Sequence, residues 1–102
     1  NGATSLHYAA INGSTAAVQL LLESGADISA ADTYGDTALH EAAKEGHEEV
    51  LRLLLENGGD IKSVNKFNST VLHSAAENGH ETALKLLLEK GAEIGAADND
   101  SD

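Results

Sequence analysis

The chain has 102 residues with 17 acidic against six basic side chains and a formal net charge of -11, a field that repels nucleic acid and anionic membrane and steers in a basic surface. Hydrophobic residues make up 41% of it but only three are aromatic, Tyr8, Tyr34 and Phe67, so a core must be built from Leu, Val, Ile and Ala, a palette that favours packed helices. With no cysteine there is no disulfide, and no apolar run approaches the roughly 20 residues of a membrane helix. The absence of methionine is what a fragment shows, and the lack of a basic-then-apolar leader makes an intracellular setting the expectation.

Thr4, Leu6, His7, Ala9, Ala10, Gly13, Leu20, Leu21, Leu22, Glu23, Gly25 and Ile28 each recur 33 and 66 residues later without a gap, so the chain is a three-fold repeat. The copies are 1–31, shortened at its start, 32–64 and 65–97, with 98–102 opening a fourth; together they form a single domain over 1–102. In the first copy Thr4 precedes a short helix that Gly13 ends, and a second helix closes at Gly25. The second copy spells out the pattern. Thr37 is placed to cap a helix with Leu39, Ala42 and Ala43 on its apolar face, and Gly46 ends it. From Glu48 a second helix carries Val50, Leu51, Leu54 and Leu55 on one stripe, with Arg52 and Glu56 away from it, and Gly58 closes it. In the third copy Gly79 and Gly91 take the same two roles. Helices this short lie below the roughly 12 to 15 residues at which an isolated helix becomes marginal in water, so the copies must stabilise one another by stacking their leucine faces.

The stretch from Thr37 to Lys62, TALHEAAKEGHEEVLRLLLENGGDIK, resembles the ankyrin repeat, with its T-P-L-H-x-A-A-x-x-G-H and L-L-L-x-x-G-A-D pattern. The resemblance covers nearly the whole chain. It implies an all-α, L-shaped solenoid of paired antiparallel helices, hairpin-like β fingers projecting between repeats, and a concave face for partners. Two departures stand out. The family's proline is replaced by Ser5, Ala38 and Val71, which removes a residue pre-set for the first helical position. Asn68 stands where Gly2 and Gly35 stand, a costlier residue at positive φ.

Five histidines suggest a metal site, but His7, His40 and His73 are one repeat position and His47 and His80 another; the resemblance implies side chains that tie helix starts and turns. Glu41 with Glu45, or Glu48 with Glu49, could serve as acid and base, but a solvated helix face accounts for them, and no nucleophile elbow or phosphate loop is present. The terminal Asp98, Asn99, Asp100 and Asp102 space their oxygens like the start of a calcium loop; an exposed loop end explains them as well. No catalytic, cofactor or metal residues follow from the sequence.

Tyr34 and Phe67 share one repeat position, at the tips of successive fingers, and exposed aromatics are contact anchors in many interfaces; alternatively each packs back on a neighbouring finger. The expected partner surface comprises the finger residues Thr33, Tyr34, Asp36, Lys66, Phe67 and Ser69. It continues on the first helices at Tyr8, Ile11, Asn12, Glu41, Lys44, Glu45, Ser74, Glu77 and Asn78, positions that vary between copies while the framework repeats. The expectation is a protein-interaction module for a partner with a basic patch, a monomer able to associate end to end. The alternatives are an engineered scaffold without a natural partner, or the docking segment of a larger enzyme or signalling protein.

Overall fold

A computed structural model of the chain describes residues 2–95, with side chains to Gly91. Residues 96–102, and with them the Asp98 to Asp102 pattern and the opening of a fourth copy, lie outside the described residues.

Among the described residues six helices form three antiparallel pairs: α1 (Ser5–Asn12) with α2 (Thr15–Glu23), α3 (Ala38–Glu45) with α4 (Glu48–Glu56), and α5 (Val71–Glu77) with α6 (Glu81–Gly95). Each first helix begins at its threonine. The hydroxyls of Thr4, Thr37 and Thr70 accept from the backbone N–H three residues on, and the histidine there accepts the threonine's own N–H, so imidazole does the work of glutamate in a capping box. Gly13 and Gly46 end α1 and α3 in the left-handed conformation at φ 72° and 74°.

Two layers result. In the inner one α1, α3 and α5 lie side by side, and alanines bring them close: Ala10, Ala42, Ala43 and Ala75 are fully buried. Val18, Val50, Leu51, Leu54, Leu86 and Leu87 of the outer layer complete one continuous core with Leu6 and Leu39. The leucines two apart on the outer helices face opposite ways along the stack. Leu22 and Leu53 line one crevice between α2 and α4, whereas Leu20 at one end and Leu88 at the other remain 63% and 51% exposed.

Between the pairs the chain makes two tight fingers, 30–37 and 63–70. The first is closed by Asp32 N–H to the Asp36 carbonyl at 2.9 Å and the second by Asn65 N–H to the Ser69 carbonyl at 3.0 Å. Only an isolated antiparallel bridge, Val64 with Thr70, carries β character among the described residues. Asn68 takes φ 65° where Gly35 has 81°. Gly35 is needed for a second reason: a Cβ there would stand 2.9 Å from the Lys66 backbone nitrogen, whose N–H donates to the Tyr34 carbonyl at 2.9 Å. At position 68 asparagine tolerates the left-handed region better than most.

One expected boundary fails. Gly25 and Gly58 follow the ends of α2 and α4 at φ 93° and 95°, but α6 runs on through Gly91 to Gly95. In the first two copies an aspartate bends the chain just after the glycine, Asp27 accepting from Ser29 N–H at 3.0 Å and Asp60 from Lys62 N–H at 2.9 Å. The third copy has Glu93 in that register, a better helix former that is one methylene too long for such a turn.

Candidate functional site

The histidines that open α1 and α3 do more than cap. Because Nδ1 of His7 and His40 accepts the threonine N–H, at 3.0 and 3.2 Å, Nε2 carries the proton. It donates across the seam to the next finger, His7 to the Asp36 carbonyl at 2.7 Å and His40 to the Ser69 carbonyl at 3.2 Å. The turn histidines reach the other way. His47 Nε2 meets the Ile11 carbonyl at 2.9 Å and His80 Nε2 the Lys44 carbonyl at 2.8 Å, so each seam is fastened by two reciprocal bonds, one at the finger and one at the turn. His47 accordingly gives no side-chain bond to the start of its own helix.

These fastenings hold the fingers over the inner helices and leave a groove of about 340 Å³, lined by Tyr34, Asp36, Lys44, Asn65, Phe67, Ser69, Ser74 and Glu77. Seven of those eight are among the residues expected from sequence. The Tyr34 and Phe67 rings stack on each other, centroids 6.1 Å apart at 27°, and still leave 53% and 70% of their residues exposed. The two fingers are thus joined at their tips, and a broad aromatic face remains open.

Three residues of the expected surface are largely covered, although Asp36 and Ser74 still reach the floor of the groove. Asp36, Glu41 and Ser74 are buried. Asp36 accepts from the Asn65 side-chain amide at 2.8 Å, and Ser74 Oγ donates back to the Thr70 carbonyl at 3.4 Å. Positions 41 and 74 each have the preceding copy's first helix beside them, α1 and α3, whereas Tyr8, their counterpart in the first copy, has none among the described residues and is half exposed. Thr33, Asn12, Glu45, Lys66 and Asn78 are exposed and Ile11 half-buried, but none of these, nor Tyr8 or Glu41, lines the groove. Asn65 was not anticipated. Its signal was in the sequence: the first finger has Asp32 in that register, and the change from carboxylate to amide supplies the donor that Asp36 needs.

Beneath the fingers Asp32, Asp36 and Glu41 bring carboxylate oxygens within 4.8 Å of one another, the one such trio among the described residues. The Lys44 ammonium stands 3.8 Å from Asp36 and 3.6 Å from Glu41 and supplies compensating charge. Burial lifts the Glu41 carboxyl above its usual 4.5, with Lys44 working against the shift. Burial likewise pushes the His40 imidazole below 6.5, partly opposed by its bond to Ser69. The two act oppositely on stability. Below pH 6.5 the unfolded chain takes up a proton that folded His40 refuses, so stability falls on acidification. Folded Glu41 binds its proton before the unfolded chain does, so stability rises as pH drops through its folded pKa toward 4.5. Glu41→Gln should therefore lose stability more steeply than the parent between neutral pH and pH 5 in urea titrations; parallel curves would remove Glu41 from this balance.

No helix among the described residues is long and apolar enough to cross a membrane. The chain matches no curated protein, but the family model described as ankyrin repeats (3 copies) matches residues 6–98. Such repeats generally serve as protein–protein interaction modules, typically without catalytic activity. Three in-register copies, histidine-capped first helices, an alanine-lined inner layer and two fingers fastened over it agree with that match, and the chain belongs to the ankyrin repeat family.

Proposed function

We propose that the chain binds a partner protein across the face formed by its fingers and first helices, and that it prefers a partner with a basic surface. The observation that carries this reading is the stacked Tyr34 and Phe67 pair, left more than half exposed at the fingertips of a chain with only one other aromatic. Large apolar rings held open to water, beside a groove and without a core to fill, are what hot-spot residues look like before the partner arrives. The net charge of -11 supports the preference in sign, giving an on-rate that falls as salt screens it. Asp36 and Ser74 form the floor of its groove with Glu41 beneath, and the exposed positions around the groove make most of its contact.

The test is affinity capture with the intact chain, followed by titration of the captured partner against the Tyr34→Ala/Phe67→Ala double variant. Both side chains are exposed, so the fold should survive. Binding should weaken by more than about 2 kcal/mol, roughly 30-fold; unchanged affinity would move the contact surface elsewhere.

A further inference from the structure

The groove has a more particular chemistry than an acidic surface. One wall is the Tyr34 and Phe67 pair, and the lining adds the carboxylates of Asp36 and Glu77. Glu77 is exposed and makes no ion pair among the described residues. The single cation present, Lys44, is poorly seated. Its ammonium is 3.8 Å from Asp36 and 3.6 Å from Glu41, outside the roughly 2.7 to 2.9 Å of a charge-assisted hydrogen bond, and its side chain is 43% exposed, free to swing into water. Asp36 meanwhile is fixed by the Asn65 amide on one oxygen and offers the other to the groove side, where Lys44 stands.

We propose that this groove receives an arginine side chain of the partner polypeptide, its guanidinium lying against the Tyr34 and Phe67 rings, taking from Lys44 the open oxygen of Asp36 and reaching Glu77 on the groove's rim. The inference rests on the reading that this face binds protein. Arginine fits better than lysine for three reasons. A planar guanidinium stacks on aromatic faces, sheds its water more readily than an ammonium, and presents several donors in a fixed fork that can serve two carboxylates at once. A space of about 340 Å³ accommodates one such side chain with its stem. Lys44 becomes a resident cation that keeps Asp36 and Glu41 compensated until the partner's arginine takes its place at Asp36.

Titration of the chain with the blocked peptide acetyl-Gly-Arg-Gly-amide, at low ionic strength, reads the site through the ring resonances of Tyr34 and Phe67 and the side-chain amide of Asn65. Saturable shifts are expected with the arginine peptide, binding weaker by about threefold or more with its lysine counterpart, and none with neutral citrulline. Phe67→Ala and Glu77→Gln, both at exposed positions, should each weaken the arginine peptide by about threefold or more, and Lys44→Gln should strengthen it. Equal binding of lysine, binding of citrulline, or weaker binding after Lys44→Gln would overturn the proposal. If the peptides fail while the Tyr34/Phe67 double variant still loses its captured partner, the interaction face stands and the arginine site falls. If the peptides behave as expected while capture survives the double variant, the partner surface is misplaced and the arginine site stands.

Discussion

Leu54→Ala should lower the unfolding free energy by about 2 to 5 kcal/mol, a large share of the roughly 5 to 15 kcal/mol that a domain of this size possesses. Leu54 is fully buried and belongs to the core that α4 shares with the neighbouring helices, so the truncation removes transfer free energy and leaves a hole that backbone on several sides cannot close. Its backbone adds a constraint, since the Leu54 carbonyl accepts from Gly59 N–H at 2.8 Å and the helix cannot easily shift to fill the space. The matched control is Leu20→Ala. Leu20 is 63% exposed at the end of the stack, and the same change there should move the midpoint by no more than about 0.5 kcal/mol in equivalent terms. Thermal and urea unfolding followed by circular dichroism compares the two; equal losses, or none at Leu54, would contradict a core built between copies.

His40→Ala should cost about 2 to 4 kcal/mol and His73→Ala about 0.5 to 2 kcal/mol, although both residues make the same capping box. His40 is fully buried, caps α3 through Thr37 and donates across the seam to Ser69. Removing it opens a cavity, leaves the Thr37 N–H without its partner and takes from the Ser69 carbonyl one of its two donors, the Asn65 N–H remaining. His73 is exposed, and among the described residues only the Thr70 side of its bonding is present. Urea midpoints of the two variants, with unchanged slopes, give the comparison. Equal losses would mean that the seam bond and burial contribute nothing beyond the cap.

The outline of the stack was legible because it repeats. A 33-residue period in Thr, Leu, His, Ala and Gly marks the caps at Thr4, Thr37 and Thr70 and the turns at Gly13 and Gly46, local chemistry that needs no knowledge of the partner strand or helix. What register alone does not reveal is context. Gly91 occupies a turn position, but the turn also depends on the following aspartate, and Glu93 lets α6 continue. Tyr8, Glu41 and Ser74 share one position, but only the last two are buried, each having the first helix of the preceding copy beside it, which Tyr8 lacks among the described residues. Tyr34 and Phe67 were recognisable as fingertip residues, whereas their stacking on each other depends on how far one finger stands from the next. The finger spacing is set by the Lys66 N–H bond to Tyr34 and by the absence of a side chain on Gly35.

The paired histidine bonds at each seam bear on recognition in another way. Leucine contacts have no direction and would let neighbouring copies slide or twist by small amounts, whereas imidazole N–H groups aimed at single carbonyls, one forward and one backward, admit one setting. The groove is therefore a mould of fixed width before anything enters it. A partner segment that is itself unstructured bears nearly all of the ordering entropy of the encounter, so affinity on this face responds more to stiffening the partner than to further rigidity in the repeats.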